Sequence, residues 1–293
     1  MNQAFLYSKY NGLQKNDATF VLNNYLKLIQ WKKDGGDAIL DIGCGAGDVI
    51  NDLLLPRIPK NFDKLLGVDL SEEMIDFAKT RCANPKVSFE QMNIAAEDVP
   101  VDFEDSFDHI FSFYCLHWVQ EQRKAVLNIY KMLRPGGDVL LTFLASNPIF
   151  EIYESLSKKG RWESYMENFK NYVSPYQYSD DPGKELENIL KEVGFEIHVC
   201  KVDERIYVYP NVAVLKSKFH CIFQMRSNLI AESVTAVSPF YNKIPEKMKE
   251  DYLTDYIKEI KRMNLVENCN NNNQERVQVP YKLFIVYVSK KID

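Results

Sequence analysis

The chain has 293 residues, 46% of them apolar, and a formal net charge of −5. This size and apolar content suit one α/β domain with insertions, so we expect residues 1–293 to form a single domain. The acidic balance argues against a general nucleic-acid binder, which carries a basic stripe. The N-terminus has no apolar core and no run of eighteen apolar residues occurs, so neither a signal peptide nor a membrane span is expected.

The cysteines do not have the spacing of a metal site. The six of them occupy positions 44, 82, 115, 200, 221 and 269, and no two form a Cys-x-x-Cys pair. A domain of this size needs no disulfide framework for its stability. We therefore expect reduced thiols, a cytoplasmic protein and no bound metal.

Strand and helix patterns alternate through the first half of the chain. Apolar runs predict strands at 38–42, 64–69, 87–92, 107–113 and 138–143. Helical spacing of apolar residues predicts helices at 47–55, 71–82 and 121–132. This alternation predicts a mostly parallel sheet covered by helices on both faces.

The rhythm changes after residue 144. A predicted helix at 183–193 ends at Gly194, a residue that favours helix C-termini, and 270–273 is a polar loop. Further strands are predicted at 195–199, 205–209 and 282–288. Ligands of open α/β sheets bind at the carboxyl ends of the strands. We expect a helical cap over that edge, made by residues 1–30, 145–182 and 211–265.

A glycine-rich turn joins the first strand to the first helix. Residues 41–47 are Asp-Ile-Gly-Cys-Gly-Ala-Gly, and glycines let the backbone turn sharply and approach a ligand. A dinucleotide fingerprint would place its third glycine where the chain has Asp48. The carboxylate of Asp41 would repel a pyrophosphate and attract a cationic ligand. S-adenosylmethionine, which has a sulfonium and an amino group, is such a ligand.

This pattern resembles the first motif of class I S-adenosylmethionine-dependent methyltransferases. A second strand ends at Asp69, whose carboxylate suits two ribose hydroxyls, and Pro135-Gly136-Gly137 precedes the fifth strand as is common in that family. The resemblance implies a Rossmann-like fold with a mostly parallel seven-stranded sheet. It also implies S-adenosylhomocysteine as a product. The expected cofactor-binding residues are Asp41, Gly43, Cys44, Gly45, Asp69, Leu70, Asn93, Ile94 and Ser112.

The segment after the fourth strand bears on the methyl acceptor. Enzymes that methylate base amino groups often carry Asn/Asp-Pro-Pro-Tyr/Phe there, whereas this chain has Ser-Phe-Tyr-Cys-Leu-His-Trp at 112–118. The faintly similar Asn-Pro-Ile-Phe at 147–150 follows the fifth strand instead. A base-modifying role is therefore disfavoured, and no nucleic-acid partner is expected.

Four blocks, 10–18, 111–118, 147–150 and 269–272, are together similar to insect juvenile hormone acid O-methyltransferases. The similarity covers nearly the whole chain. It implies methylation of an apolar sesquiterpenoid acid, farnesoic acid or a juvenile hormone acid, to its methyl ester. Residues that match Gln14 and Trp118 are implicated in catalysis in that family. The expected substrate-binding residues are Gln14, His117, Trp118, Phe150 and Tyr153.

The family often has an acidic residue at the position of Asn93, where it binds the adenine amino group. An amide carbonyl can accept the same bond. Elementary chemistry agrees with a carboxyl acceptor, because a carboxylic acid with a pKa of about 4.3 is ionised at neutral pH and needs no general base. None of the four histidines forms an obvious dyad. Neutral donors on Gln14 and Trp118 can orient the acid without over-stabilising its charge.

Other functions stay open from the sequence. The acceptor can be another small acid or an amine, and the chain can be a cofactor-binding partner subunit or a terpenoid carrier without turnover. The assembly state, with a homodimer as one choice, is also left open.

Overall fold

The computed structural model describes residues 4–209, 229–269 and 274–292. An eight-stranded sheet forms its centre. The strands are β1 (Ala38–Ile42), β2 (Lys64–Asp69), β3 (Val87–Gln91), β4 (Phe107–Phe113), β5 (Leu133–Ser146), β6 (Glu196–Tyr209), β7 (Val266–Cys269) and β8 (Gln274–Ser289). Their order is β3-β2-β1-β4-β5-β8-β6, and β7 pairs with β8 outside this path.

The sheet is parallel in its first half and antiparallel in its second. Strands β3, β2, β1, β4 and β5 pair in parallel, whereas β8 runs antiparallel to β5, β6 and β7. Strands β1 and β4 are buried along their whole length, which explains their nearly continuous apolar sequences. Successive residues point to opposite faces, so Ile39 and Leu40 belong to two separate hydrophobic clusters.

Helices surround this sheet. The α-helices are α1 (Ala4–Tyr10), α2 (Gly12–Tyr25), α3 (Glu72–Arg81), α4 (Gln122–Met132), α5 (Pro148–Ser157), α6 (Gly160–Glu163), α7 (Pro182–Val193), α8 (Leu229–Val237) and α9 (Lys249–Arg262). The short 3-10 turns are Leu26–Leu28, Val101–Phe103, Leu116–Trp118, Phe169–Tyr172, Tyr241–Lys243 and Glu246–Met248. Within the described ranges, no helix combines the length and apolar content that a bilayer crossing requires.

The Rossmann-like α/β architecture expected from the sequence is confirmed, with two differences in detail. The helix expected at 47–55 is a π-helical segment, Val49–Leu54. The strands expected at 195–199 and 205–209 are one continuous strand, β6. The polar residues between them resemble a turn, but pairing with β8 carries the strand through them after a bulge near Ile197.

The eighth strand, β7, lies beyond the predicted set of seven. The eight expected strand segments form the seven strands of the main path, because 195–199 and 205–209 both belong to β6. Strand β7 pairs with the first residues of β8, which begins at Gln274 rather than at 282. The pairing joins segments on either side of the polar loop expected at 270–273, which lies outside the described residues. A four-residue strand of this kind has too little periodicity to be detected in a sequence.

Helices from the three segments expected to form the cap contact one another. Helix α1 contacts α8, and α5 contacts α6 and α9. In the second group, Trp162 donates from its indole nitrogen to Asp255, and Glu259 binds Lys159 and Arg262. These contacts join two of the three segments expected to form the cap. The cap and single-domain assignments stay predictions, and residues 211–228 of the third segment lie outside the described ranges.

Candidate active site

The glycine loop follows β1 and is held against β2. Gly43 and Cys44 both donate from their backbone nitrogens to the Val68 carbonyl, at 2.7 and 3.0 Å. Gly43 has a φ of +73°, and a Cβ atom placed there would lie 2.2 Å from the Cβ of Cys115. A side chain at this position would therefore strain the backbone and collide with the segment after β4. Glycine here brings the loop and that segment together.

Asp69, at the end of β2, connects the loop to the next helix. Its carboxylate accepts hydrogen bonds from the backbone nitrogens of Gly45 and Ser71, both at 2.9 Å. Burial raises the pKa of Asp69 above its usual value, although these bonds oppose the shift. The carboxylate thus fixes the loop geometry while also facing the adjoining cleft.

Asp41 is an acidic residue of the site that is buried without a full set of hydrogen bonds. It is 2% exposed, and its Oδ1 atom has no hydrogen-bond partner among the described residues. Burial, followed by the nearby Asp69 carboxylate, raises its pKa well above the usual value. A buried acceptor without a partner is costly to the fold. The arrangement suits a ligand that brings a cation or a strong donor to these two acids.

A cleft of about 640 Å³ opens beside Asp69. Six of the expected cofactor-binding residues line it: Gly43, Gly45, Asp69, Leu70, Asn93 and Ile94. Leu70 is 66% exposed, so it offers an apolar surface to a planar ring at the cleft. Asn93 accepts from the Ala95 backbone nitrogen at 3.0 Å, so its side-chain oxygen already has one partner.

The other three expected cofactor-binding residues lie outside this cleft. Asp41 and Cys44 line a small adjoining cavity of about 20 Å³, together with Gln14. Ser112 is buried and donates from its hydroxyl to the Ile42 carbonyl at 2.8 Å, which ties β4 to β1. Ser112 lines neither cavity, so its side chain supports the sheet beneath the site.

Several residues of the cleft were not anticipated from the sequence. Tyr7 lines it and lies against Gly45, whose hypothetical Cβ would be 3.5 Å from the ring. Tyr114 and Cys115 follow β4, and the half-buried Cys115 lies against the glycine loop. The glycine at position 43 indicates that another segment packs closely against the loop, but the sequence does not identify that segment as the one that carries Cys115.

Asp48 holds the N-terminal helices against the glycine loop. Its carboxylate accepts from Ser8 Oγ at 2.7 Å, from Asn11 Nδ2 at 3.0 Å and from Arg81 at 2.6 Å. Lys15 lies 3.6 Å from the same carboxylate. The acid that breaks the dinucleotide fingerprint therefore anchors the segment that carries Tyr7.

A second, apolar cavity of about 100 Å³ adjoins the cleft. Four residues line both: Tyr7, Tyr114, Trp118 and Val237. Of the expected substrate-binding residues, Gln14, His117, Trp118 and Phe150 line the apolar cavity. Tyr153 does not, because its ring packs against Phe240 at 5.1 Å and its hydroxyl is buried without a hydrogen-bond partner among the described residues.

The described lining of the apolar cavity contains no Lys, Arg, Asp or Glu. Burial lowers the pKa of His117 to about 3, so its imidazole is neutral at physiological pH. The Leu144 backbone nitrogen donates to His117 Nδ1 at 3.5 Å, and this contact leaves the proton on Nε2. With the Gln14 amide and the Trp118 indole, the cavity offers neutral donors in apolar surroundings.

Comparison with known proteins shows the family to which the chain belongs. A family model described as a methyltransferase domain matches residues 40–141, which contain the glycine loop and Asp69. The fold is similar to that of the YcgJ protein from Bacillus subtilis, with a TM-score of 0.58, 17% identity and coverage of 93% of this chain and 98% of that one. It is also similar to Haemonchus contortus phosphoethanolamine N-methyltransferase 2 in complex with S-adenosyl-L-methionine, with a TM-score of 0.53, 18% identity and coverage of 98% and 56%.

Two curated relatives match almost the full length. Juvenile hormone acid O-methyltransferase of Drosophila melanogaster is 38% identical, covering 99% of this chain and 93% of the relative. The Bombyx mori protein of the same name is 39% identical, covering 99% and 98%. The chain therefore belongs to the juvenile hormone acid O-methyltransferase family.

Proposed function

We propose that this chain is a carboxyl O-methyltransferase that uses S-adenosylmethionine to convert an apolar sesquiterpenoid acid, farnesoic acid or a juvenile hormone acid, to its methyl ester. One observation carries the proposal. The cleft beside the glycine loop, which Asp69, Glu72 and Glu73 line, adjoins the apolar cavity, whose described lining has no charged side chain, through Tyr114 and Trp118. A methyl donor in the first and an acid in the second would meet at this boundary.

The cleft fits the cofactor. The Asp41 carboxylate, whose Oδ1 atom has no partner among the described residues, would bind the cationic methionine part, beside Gly43 and Gly45. Asp69 would bind the ribose hydroxyls, and Leu70, Asn93 and Ile94 would enclose the adenine; Cys44 and Ser112 would support the loop and the strand behind it. When bound, S-adenosylmethionine supplies an electrophilic methyl group on a positively charged sulfur, leaving S-adenosylhomocysteine. The proposed chemistry requires no metal, since both the donor and the acceptor are already activated.

The apolar cavity fits an acid that must lose its charge. The carboxylate is the nucleophile and is ionised at neutral pH, so the weakly basic His117 is not required as a base. Ester formation removes the negative charge. A buried Arg or Lys would therefore stabilise the bound acid more than the transition state. Gln14, Trp118 and the Nε2–H of His117 orient the carboxylate with weaker, neutral bonds.

The hydrocarbon part of the acid would contact the remainder of the cavity lining, which is dominated by aliphatic and aromatic side chains. Phe150 belongs to that lining, while Tyr153 lies behind it in the cap. The names of the two full-length relatives support a juvenile hormone acid as the acceptor. The absence of acidic side chains from the described lining disfavours an amine.

The test is transfer of a labelled methyl group from S-adenosylmethionine to farnesoic acid, juvenile hormone acid, a saturated fatty acid of similar length, a short polar acid and phosphoethanolamine. We expect base-labile labelled ester from the two terpenoid acids at the highest kcat/KM. Preference for the short acid or the amine would replace the acceptor assignment. Cofactor binding without any labelled product would indicate a partner subunit or a carrier.

The proposal includes a cytoplasmic location, and a homodimer is the assembly to be tested. Cell fractionation and light scattering of the purified chain measure these two properties separately. Neither outcome alters the expected chemistry, because all the side chains invoked above belong to one chain.

A further inference from the structure

A buried carboxylate connects four segments around the two cavities. Asp17, on α2, is 0% exposed. It accepts hydrogen bonds from the hydroxyls of Tyr114 at 2.5 Å and Tyr281 at 2.8 Å, and it lies 3.1 Å from the Nε atom of Arg205. Arg205 also stacks over the ring of Phe20 at 4.2 Å. Three partners from β6, β8 and the segment after β4 thus converge on one residue of the N-terminal helices.

Tyr114 differs from the other partners in its backbone and its position. Its φ is +60°, a left-handed conformation that bulky residues rarely adopt, and its backbone nitrogen donates to the Thr142 carbonyl at 2.8 Å. It lines both cavities. Burial and then Asp17 raise the pKa of Tyr114 well above its usual value, so its hydroxyl is the donor in this bond.

The two ends of the Asp17–Tyr114 bond belong to the segments that carry the predicted catalytic side chains. Gln14 precedes Asp17 by three residues on α2, so the two lie on the same helix face. Trp118 follows Tyr114 by four residues and ends the turn Leu116–Trp118. The Tyr114 ring also meets the ring of His117 edge-on at 5.7 Å.

We propose that Asp17 and Tyr114 are a positioning pair, whose hydrogen bond sets the separation of Gln14 and Trp118 across the acceptor cavity. This inference rests on the proposed function. Neither residue is expected to exchange a proton with the substrate. The bond holds α2 against the turn after β4, and the left-handed backbone at Tyr114 turns its side chain towards α2 while keeping the ring at the boundary of the two cavities.

Tyr281 supplies a matched control. Its hydroxyl binds the same carboxylate, but the residue lines neither cavity. Tyr114→Phe and Tyr281→Phe each remove one hydroxyl and leave Asp17 with the other tyrosine, Arg205 and the Asn16 amide as partners. Tyr281→Phe also removes a 3.3 Å hydrogen bond that the hydroxyl accepts from Arg205. Both variants therefore keep the buried carboxylate compensated, and any loss of stability should be similar in the two.

The experiment measures kcat and KM for farnesoic acid and for S-adenosylmethionine in both variants, together with their thermal unfolding. Tyr114→Phe should lower kcat about tenfold or more, since displacement of catalytic groups by a fraction of an ångström is costly, while the KM for S-adenosylmethionine stays within about twofold. Tyr281→Phe should keep kcat within about twofold of the original. Equal losses of kcat in both variants, or none in Tyr114→Phe, would overturn the pairing.

Backbone amide exchange separates this inference from the proposed function. Exchange of α2 and of the turn Leu116–Trp118 should be faster in Tyr114→Phe than in Tyr281→Phe, whether or not any acid is methylated. If the unmodified chain forms no ester, the proposed function fails while exchange still decides the inference. Identical exchange in the two variants would reject the inference even if the unmodified chain is fully active.

Discussion

Acidic side chains have different partners at the two ends of the parallel strands, here called the amino-terminal edge and the carboxyl edge. At the amino-terminal edge, His109 lies between Asp138 at 2.7 Å and Asp37 at 3.0 Å, and Asp108 binds both Lys32 and Arg134 at 2.7 Å. At the carboxyl edge, Asp41 and Asp69 flank the glycine loop in the chain and in the sheet, and burial and then the charge of Asp69 raise the pKa of Asp41; no cationic side chain is bonded to either among the described residues.

The difference separates an edge whose charged groups stabilise the fold from an edge whose charged groups are available to bind a ligand. Each acid at the amino-terminal edge has a cationic partner within the protein, although Asp37 Oδ2 has no hydrogen-bond partner among the described residues, so that edge can serve the fold. The acids at the carboxyl edge repel each other and leave an acceptor open, so that edge is less stable alone than with a cationic ligand. Perturbed carboxyl groups of this kind cluster at functional sites. The predictions that follow test this contrast, from the largest expected effect to the smallest.

His109→Ala should produce the largest loss of stability. Removing the imidazole leaves Asp37 and Asp138 buried without their shared cation, and breaking a buried pair of this kind costs about 3–5 kcal/mol. Urea unfolding measures the effect. His198→Ala is the matched control, since His198 is exposed, bonds the Ser289 hydroxyl at 2.7 Å and lies beside the Tyr287 ring at 5.2 Å, and it should change the free energy of unfolding by about 0.5 kcal/mol or less. Equal losses in the two variants would contradict the contrast.

Asp41→Asn should separate stability from binding. The affinity for S-adenosylmethionine should fall about a hundredfold, because a charge-assisted hydrogen bond contributes about 1.5–3 kcal/mol. The free energy of unfolding without ligand should rise by about 1 kcal/mol, since the change removes a buried charge of which one oxygen has no partner among the described residues. Calorimetry and urea unfolding measure the two effects. Asp52→Asn, which alters an exposed acid paired with Lys15, should leave the affinity unchanged. If the Asp41→Asn variant bound S-adenosylmethionine as tightly as the unmodified chain, Asp41 would not be part of the cofactor site.

Trp118→Phe should lower turnover of farnesoic acid about tenfold while cofactor affinity stays unchanged, because a neutral hydrogen bond contributes up to about 1.5 kcal/mol. Steady-state kinetics and calorimetry give the two values. Trp31→Phe changes the same residue type at the opposite edge, where Trp31 packs against His109 at 4.5 Å, and should keep normal turnover. Full activity in Trp118→Phe would exclude its indole from the mechanism.

The pH dependence of stability should show the smallest effect. Burial disfavours the His109 imidazolium, but the bonds to Asp138 and Asp37 outweigh this cost, so its pKa is raised. A raised histidine pKa adds stability that is fully present below the unfolded pKa of about 6.5 and is lost as pH rises through the folded pKa. Unfolding free energy between pH 6.5 and 8 should fall by at most about 1.4 kcal/mol per pH unit. An imidazole titration by NMR identifies the group, and a His109 pKa below that of a free histidine would refute the assignment.

Local features of the sequence were sufficient to predict the alternating strands and helices and the glycine loop. Apolar periodicity and the glycine at position 43 reflect demands that neighbouring residues impose on the backbone, so they are visible in the sequence. The same holds for Asp69 at the end of β2. The family resemblance added Gln14 and Trp118, which the structure brings to one cavity.

The surroundings of the other site residues depend on long-range contacts. Tyr153, predicted to bind the substrate, packs against Phe240, and Ser112, predicted to bind the cofactor, donates to the Ile42 carbonyl. The direction in which such a side chain points depends on partners that are distant in the sequence. Tyr7 and the Asp17–Tyr114 bond carry no local signal at all. Asp17 and Tyr114 are 97 positions apart in the chain, and only the tertiary fold brings them into contact. The sequence by itself thus determined the local frame of the cofactor loop, whereas the acceptor side was decided by packing between segments far apart in the chain.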